Sequence, residues 1–327
     1  MRDGQQRKIE YARISLTDRC NLNCSYCRPH NLNRAYAREL SEIEILRAAK
    51  ALVTAGIRKL RLTGGEPLLY KGIQSLIFRL KEIDGIEEIG ITTNGILLEP
   101  LAASLAKAGL THINISLDAM HPETYSCITG SDDGLDRVLK GLAASLDSGI
   151  NNIRLNCVPL KGINENEVAE LAQLARDNDI SVRYIRLMPI GSIIASDLKG
   201  IGMDEIKKML SDIFGDMERV PSGDELSGPA EYYRLQGFRG KIGFIDSLDH
   251  SFCSSCNRIR LTSDGILKPC LSYSDGIDIK ELLARDDSGD ELVKSINEAI
   301  WMKPASHCFM DKIHEKRETR NMFQIGG

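Results

Sequence analysis

The stretch Tyr11–Cys27, YARISLTDRCNLNCSYC, contains three cysteines close together, directly after a segment in which apolar residues alternate. The alternation over Tyr11–Leu16 predicts a β-strand. The loop after it contains Cys20, Cys24 and Cys27, and three thiolates this close can hold one metal centre. A 4Fe-4S cluster takes four ligands, so one iron would stay open to a ligand that is not protein. A zinc loop that borrows a distant ligand, or structural free thiols, are the alternatives.

The strand pattern recurs along the chain in alternation with helical periodicity. Units of roughly 30–40 residues, each a strand and then a helix, are typical of a parallel sheet. Strands are expected at Tyr11–Leu16, Arg58–Thr63, Glu88–Thr93, His112–Leu117, Asn152–Val158 and Ser181–Leu187, and helices at Ile43–Leu52, Ile73–Ile83, Glu99–Ala108, Gly134–Leu146, Glu165–Asn178 and Asp204–Phe214. These strands are too few for a closed eight-stranded barrel, so an incomplete barrel or an open doubly wound sheet is expected.

Unusual residues fall just past the ends of five predicted strands. These are Cys20–Cys27, Thr63–Pro67, Thr92–Gly95, Ser116–Asp118 and Met188–Gly191. In either architecture the carboxyl ends of parallel strands share one face, so the five loops are expected to converge on one site. In the second loop the paired glycines would let backbone approach a ligand closely. A simple turn with Glu66 at a helix start explains that loop almost as well.

A second set of three cysteines, Cys253, Cys256 and Cys270, lies in the C-terminal third of the chain. Paired trios in a reducing compartment indicate metal rather than disulfides. A zinc ribbon with His250 or His307 as the fourth ligand is the alternative.

Arginines accompany this second trio. Arg258 and Arg260 are two residues apart on a predicted strand, so both face the same side. Such a pair suits a phosphate or a purine edge. Further cations are expected near the mouth of the site, at Arg13, Arg61, Arg154, Arg183 and Arg186. Several lie within strands, where a charge needs a partner or a polar lumen, so together they favour an anionic, polyphosphate substrate over ordinary salt bridges.

Composition limits the remaining possibilities. A hydrophobic content of 42%, a charged content of 27% and a net charge of −4 are those of a soluble globular protein without a dominant nucleic-acid surface. The segment Met1–Lys8 lacks the apolar core of a signal peptide, and no apolar run approaches a membrane span. We therefore expect a cytoplasmic protein. The scattered Cys127, Cys157 and Cys308 are expected to pack as small hydrophobic residues.

Two known groups of proteins resemble this sequence. The motif CxxxCxxC with Tyr26 before its last cysteine, followed by Gly-Gly-Glu-Pro, resembles the radical S-adenosylmethionine superfamily. Ile14–Cys20, Leu62–Leu68, Cys253–Thr262 and the pair Gly326-Gly327 are similar to the GTP 3′,8-cyclase family of molybdenum cofactor biosynthesis, over nearly the whole chain. The resemblance implies an α/β fold, an incomplete (β/α)6 TIM-like barrel over residues 1–218. It also implies a C-terminal α+β domain over residues 219–327 with a second iron-sulfur cluster, the GTP-binding region and the Gly-Gly tail.

The resemblance also implies a reaction. The first cluster would bind S-adenosylmethionine through its open iron and reduce it to methionine and a 5′-deoxyadenosyl radical. That radical would take the 3′ hydrogen of GTP, and the ribose carbon would attack C8 of guanine. The second 4Fe-4S cluster would bind guanine. The implied partners are GTP, an external electron donor, the downstream cyclic pyranopterin monophosphate synthase and a second copy of the chain, with no nucleic acid and no membrane.

Site residues follow from the resemblance by position. Contacts with S-adenosylmethionine are expected at Tyr26, Gly64, Gly65, Glu66, Ser116 and Met188, and contacts with GTP at Arg13, Arg61, Thr92, Arg154, Arg258, Ile259 and Arg260. Catalytic roles are expected for Arg183, Arg258, Arg260, Gly326 and Gly327. The cluster ligands are Cys20, Cys24 and Cys27 for the first cluster and Cys253, Cys256 and Cys270 for the second. For the Gly-Gly tail the alternative is a frayed terminus.

Three positions depart from the family pattern. Arg28 replaces a common methionine, Arg154 replaces a lysine, and Arg186 stands where an acidic residue is usual, which puts substrate placement in question. Two other functions stay open: a radical peptide maturase with an auxiliary cluster, and a non-enzymatic protein with two metal sites. Peptide maturases tend to have more cysteines in the auxiliary domain than the single trio found here.

Overall fold

The computed structural model describes residues 1–28, 38–221, 228, 230–249, 251–285, 289–311 and 315–326, and of Ser251 only the backbone. The predictions made for His250 and Gly327 lie outside these residues.

One sheet of 12 strands runs through the molecule. The strands are β1 (Tyr11–Ser15), β2 (Lys59–Thr63), β3 (Glu88–Thr93), β4 (His112–Ser116), β5 (Asn152–Cys157), β6 (Ser181–Ile185), β7 (Met217–Val220), β8 (Glu231–Leu235), β9 (Lys241–Ile245), β10 (Arg258–Leu261), β11 (Ile266–Lys268) and β12 (Ile277–Asp278). Their order in the sheet is β12-β11-β10-β1-β2-β3-β4-β5-β6-β9-β8-β7.

The helices follow the strands in the alternation that the sequence predicts. They are α1 (Glu42–Thr54), α2 (Ile73–Lys81), α3 (Leu98–Lys107), α4 (Pro122–Thr129), α5 (Gly134–Asp147), α6 (Val168–Asp177), α7 (Met203–Phe214), α8 (Ser251–Ser254), α9 (Lys280–Arg285), α10 (Asp290–Trp301) and α11 (Met322–Ile325). The start of α1 shows the local cause: Ser41 and Glu44 form a capping box. No helix among the described residues combines the length and the apolar character that a membrane crossing requires.

The parallel part of the sheet is wider than the sequence indicates. Strands β1 to β6 are parallel neighbours, as predicted. In addition, β10 pairs in parallel with β1 and β9 pairs in parallel with β6. The other edge of β10 pairs antiparallel with β11, and the other edge of β9 pairs antiparallel with β8. Strands β9 and β10 therefore do not pair with each other, and the barrel stays open. The fold is therefore an incomplete TIM-like barrel with a C-terminal α+β region, and that region supplies both of its flanking parallel strands.

The division of the chain into residues 1–218 and 219–327 remains our proposal. The boundary falls inside β7, and β9 and β10 extend the sheet of the N-terminal part on both sides. We expect the two parts to depend on each other for folding.

Side chains alternate strictly across the parallel strands. In β1, Ala12 and Ile14 are buried on the outer face, beneath the helices, whereas Tyr11 and Arg13 face the barrel lumen. The same alternation in β10 buries Ile259 between two lumen arginines. A period of two with an apolar outer face and a polar inner face is what a ligand-binding lumen requires.

Outside the barrel strands, the sequence analysis missed one helix and misjudged the burial of one cysteine. Helix α4 was missed because it is short and its apolar positions give only a weak periodic signal. It carries Cys127, which is exposed, so the prediction that this cysteine packs as a small hydrophobic residue was wrong. Cys157 and Cys308 are buried, which confirms the prediction for them.

Candidate active site

A single cavity occupies the barrel lumen, and residues of all eight parallel strands line it. The predicted site residues on its wall are Arg13, Tyr26, Arg61, Thr92, Ser116, Arg154, Arg183, Met188, Cys253, Cys256, Arg258, Arg260 and Cys270. The cavity therefore joins the second cysteine set, from the C-terminal region, to side chains from every barrel strand.

Three arginines form a row across neighbouring strands. Arg13 of β1 is in register with Arg61 of β2 on one side and with Arg260 of β10 on the other. Burial, together with the neighbouring positive charges of Arg61 and Arg258, lowers the pKa of Arg13 to about 10, although Tyr11 opposes the shift. Burial also holds the pKa of Arg260 well below its usual range. An anion placed in this lumen would relieve both desolvation and repulsion.

Glycines on the adjacent strands make room for two of the lumen arginines. A Cβ atom on Gly90 would lie 2.6 Å from the guanidinium carbon of Arg61, and a Cβ atom on Gly243 would lie 2.8 Å from Cγ of Arg183. Each glycine is the register partner of the arginine it faces. The sequence shows no motif at either glycine, so only the strand register reveals this role.

Tyr11 lies beside the row of arginines. Its hydroxyl accepts a hydrogen bond from Nε of Arg61 at 3.1 Å. Burial alone would raise the pKa of Tyr11, but the charges of Arg61 and Arg13 outweigh burial and bring it to about 7. The phenol is thus an acidic group of the lumen. Sequence reasoning missed it because a tyrosine within a strand is common and forms no motif.

Arg183 and Arg154 differ in how the protein holds them. Asn156 accepts hydrogen bonds from Nε and Nη2 of Arg183, at 2.9 and 2.6 Å. Arg154 is half-buried in the cavity wall, and no hydrogen bond or ion pair joins its side chain to another part of the described chain. Arg183 is therefore fixed in place by the protein, whereas Arg154 is available to a ligand.

The first cysteine loop is fixed by backbone contacts. The amides of Asn23 and Ser25 donate to carbonyls at the end of α4, at 2.9 and 2.8 Å, and the amide of Cys27 donates to the carbonyl of Cys24 at 2.9 Å. The missed helix α4 is thus the support of this loop. The cysteine loop itself lies at the carboxyl end of β1, on the face that the five loops share.

The thiols of this loop suit a cationic metal centre. Burial holds the pKa of Cys24 well above its usual range, and the nearby thiols of Cys27 and Cys20 and the carboxyl of Asp118 add to the shift. Burial raises the pKa of Cys27 to about 12. A bound iron centre would reverse this shift by stabilising the thiolates. Among the described residues, no group of His, Cys, Asp or Glu side chains is spaced to hold a single metal ion.

Tyr26 connects the cysteine loop to the end of β4. Its hydroxyl donates to Oδ2 of Asp118 at 2.6 Å, and the other carboxyl oxygen accepts the amide of Val158 at 2.8 Å. Burial raises the pKa of Asp118 to about 6. The Tyr26 ring lines the cavity while its hydroxyl is held by the protein.

The Gly-Gly-Glu-Pro loop has a different geometry from the one the sequence indicates. A Cβ atom on Gly64 would lie 2.5 Å from the carbonyl oxygen of Thr17, and one on Gly65 would lie 2.4 Å from that of Arg19. The close approach is thus to the segment that leads into the cysteine loop. Neither glycine lines the cavity, and their contacts with S-adenosylmethionine stay a prediction.

Glu66 is a buried structural hub of the same loop. Its carboxyl oxygens accept hydrogen bonds from the amide of Leu68, the hydroxyl of Thr93 and the amide of Asn94, at 2.9, 2.7 and 2.8 Å. Burial raises its pKa to about 7. These bonds tie the ends of β2 and β3 together, and the predicted contact of Glu66 with S-adenosylmethionine stays untested.

The second cysteine set contains one thiol, Cys256, whose pKa is lowered rather than raised. Burial raises the pKa of Cys256, but the charges of Arg258 and Lys303 outweigh burial and bring it to about 6. Nη2 of Arg258 lies 3.5 Å from its sulfur. Arg258 also stacks 4.6 Å from the centre of the Phe252 ring. A thiolate donor facing the cavity is available here to a metal centre.

Comparison with known proteins agrees with this geometry. Residues 14–175 match the family model of the Radical SAM superfamily, and residues 180–309 match that of Molybdenum Cofactor Synthesis C. GTP 3′,8-cyclases of Moorella thermoacetica and Petrotoga mobilis are 42% and 39% identical to this chain, with 100% of both sequences covered in each case. This chain belongs to the GTP 3′,8-cyclase family. The crystal structure of Streptococcus suis SuiB bound to S-adenosylmethionine has the same fold, with a TM-score of 0.63 at 18% identity over 88% of this chain and 68% of SuiB.

The C-terminal tail of this cyclase-family chain enters the site. The carbonyl of Gly326 accepts a hydrogen bond from Nη1 of Arg260 at 2.8 Å. Gly326 is buried, has φ = 76°, and a Cβ atom there would lie 2.8 Å from the hydroxyl oxygen of Thr63. The tail is therefore packed as far as Gly326, so a frayed terminus is excluded up to that residue. Catalytic roles for the two glycines stay a prediction.

Two of the three departures from the family pattern, Arg28 and Arg186, have local partners. Arg186 forms an ion pair with Asp246, at 2.9 Å between Nη1 and Oδ2. The extra cation is thus balanced by a carboxylate at the end of β9. Arg28 lies 5.4 Å from the ring centre of Phe323 in α11, so it holds the tail helix against the first cysteine loop.

Ile259 is fully buried in the apolar core, so only its backbone could contact GTP.

Proposed function

We propose that this chain converts GTP into (8S)-3′,8-cyclo-7,8-dihydroguanosine 5′-triphosphate, the first step of molybdenum cofactor biosynthesis. The observation that carries the proposal is one cavity that has the second cysteine set on one wall and a row of lumen arginines on another. A nucleoside triphosphate has the matching pair of ends, a base with nitrogen and oxygen donors and a chain of phosphates.

The arginines would bind the triphosphate and fix its position. Arg13, Arg61 and Arg260 are held in register by three paired strands, so their spacing is set before the ligand arrives. Arg154 lies elsewhere on the cavity wall, where its guanidinium could bind a phosphate group. Preorganised cations of this kind need no rearrangement when the substrate binds.

The residue types of both cysteine sets suit an iron-sulfur cluster. Cys20, Cys24 and Cys27 would hold the first 4Fe-4S cluster and Cys253, Cys256 and Cys270 the second, and each set leaves one position open for a small molecule. When bound, the first cluster and S-adenosylmethionine supply the one-electron chemistry that begins at the 3′ hydrogen of GTP.

The protein's own part is to orient the substrate and exclude water. Gly326 lies against Ser15 and Thr63 at the carboxyl ends of β1 and β2, and the barrel wall would surround the ribose and base of bound GTP. A reactive intermediate in an open site would be quenched by solvent, so enclosure is a requirement of this chemistry. We further propose an external electron donor, the downstream cyclic pyranopterin monophosphate synthase and a second copy of the chain as partners, and a cytoplasmic location.

Two measurements test the proposal. Anaerobic, reduced protein with S-adenosylmethionine and GTP is expected to give 5′-deoxyadenosine together with a cyclised nucleotide, identified by mass spectrometry. Release of 5′-deoxyadenosine without a nucleotide product that depends on GTP would refute the assignment of GTP. Iron analysis should give about eight atoms per chain for two clusters, and about four would leave only one.

A further inference from the structure

Lys303 is a buried cation beside the second cysteine set. It follows the end of α10, is 4% exposed and lines the cavity. Its Nζ donates to the carbonyl of Arg258 at 2.8 Å and to the carbonyl of Pro269 at 2.7 Å. These two carbonyls belong to the segments that carry Cys256 and Cys270. One ammonium group thus ties together two of the chain segments that supply the thiols.

No carboxylate balances this charge among the described residues. Both partners of Lys303 are neutral carbonyls, and no ion pair to it is formed there. Its positive charge acts to lower the pKa of the Cys253 and Cys256 thiols, the groups that become negative when a metal centre binds them. A buried cation without a counter-ion is costly, so the cysteine set with a bound cluster is the group that balances it.

A second cation, Arg7, contacts the same region but is neutralised. Its guanidinium donates to the carbonyl of Cys253 at 2.8 Å and to that of Pro304 at 2.7 Å. It also pairs with the buried Asp3 at 2.6 Å. Arg7 therefore holds the segment after α10 against Cys253 without adding net charge. The pair Asp3–Arg7 is the natural control for Lys303.

We propose that Lys303 is a positioning residue of the second cysteine site, which holds the segments of Cys256 and Cys270 together and supplies the positive charge that favours a more reduced, more anionic cluster. The proposal rests on the second cluster of the proposed function but not on GTP as its substrate. Cluster potentials depend on the net charge and on the polar groups around the thiolates. Loss of the Lys303 charge should therefore make the second cluster harder to reduce.

The test uses the full chain with Cys20, Cys24 and Cys27 replaced by alanine, so that iron reports the second site alone. In this parent, Lys303→Met removes the charge at similar length, and Lys303→Arg keeps it. The double variant Asp3→Asn with Arg7→Met removes a neutral pair from the same region. Iron per chain and the midpoint potential from an anaerobic redox titration followed by electron paramagnetic resonance are measured for each.

The expected result is a more negative potential in Lys303→Met, a potential close to that of the parent in Lys303→Arg, and a smaller shift in the double variant, which loses hydrogen bonds near Cys253 but no net charge. Iron loss in Lys303→Met that Lys303→Arg restores would also support the proposal. Three results would overturn it: full iron with an unchanged potential in Lys303→Met, equal iron loss in both lysine variants, or an equal shift in the double variant. A parent without iron would refute the second cluster itself, whatever the outcome of the GTP assay.

Discussion

At the scale of single residues, Arg154 offers the cleanest test of substrate binding. Its side chain forms no hydrogen bond or ion pair within the described chain, so Arg154→Ala should leave thermal stability unchanged. Loss of one charge-assisted contact with phosphate should lower kcat/KM for GTP by roughly 10- to 100-fold, mostly through KM. Arg137→Ala, on the exposed face of α5, is the matched control and should behave as the unaltered protein. A large fall in melting temperature for Arg154→Ala would instead assign it a structural role.

Tyr11 gives a spectroscopic measure of the charge in the lumen. Its pKa is about 7, since Arg61 and Arg13 favour the phenolate more than burial opposes it. The absorbance difference between the unaltered holoprotein and Tyr11→Phe should therefore show a tyrosinate that forms as the pH rises through about 7. Added GTP should move this titration to higher pH, because phosphate charge cancels that of the arginines. A difference spectrum that titrates only near ~10, the ordinary value for tyrosine, would contradict the account.

At the scale of elements, the Gly-Gly-Glu-Pro loop joins strand ends as well as bounding the site. Glu66 accepts hydrogen bonds from three donors on two loops. Glu66→Gln replaces an accepting oxygen by a donating amide, so at least one buried donor loses its partner. We expect a loss of about 1–3 kcal/mol in the free energy of unfolding. Glu123→Gln, on an exposed position of α4, is the control, and equal stability of the two variants in denaturant titrations would refute this role.

The tail is the second element whose position can be tested. Gly326 needs a positive φ and lies against Thr63, so Gly326→Ala should displace the carbonyl that Arg260 holds. We expect turnover to fall at least tenfold, about 1.4 kcal/mol, given the cost of a left-handed conformation and a steric overlap, while iron content stays at the unaltered level. Gly202→Ala meets no neighbour within 4 Å and is the control. Full activity of Gly326→Ala would show that the tail position is incidental.

Sequence reasoning recovered the elements that have strong periodicity and missed those whose signal is tertiary. The six βα units and the convergence of their loops follow from alternation at positions such as Ala12 and Ile14, which is local information. The addition of β9 and β10 to the barrel does not, because parallel pairing of distant segments leaves no local pattern. Nor do the roles of Gly90 and Lys303, which depend on what lies across a strand or a cavity. Cysteine spacing located both candidate cluster sites, because the side chains that would bind a cluster are recognisable from the residue type alone.

At the scale of the whole molecule, the C-terminal region completes the site rather than merely covering it. It supplies Arg258 and Arg260 through β10, and all of the second cysteine set. The N-terminal part supplies Arg13 and Arg61 to the same row. The arginine row therefore exists only when both parts are folded together in one sheet.

We propose that the lumen holds GTP with its ribose exposed to the one-electron chemistry of the first cluster. The most direct measurement is anaerobic turnover with GTP that carries deuterium at C3′, followed by mass spectrometry of the 5′-deoxyadenosine released. The account predicts one deuterium in the 5′-deoxyadenosine and a cyclised nucleotide that has lost it. 5′-Deoxyadenosine without deuterium, formed at the same rate with and without GTP, would contradict the account.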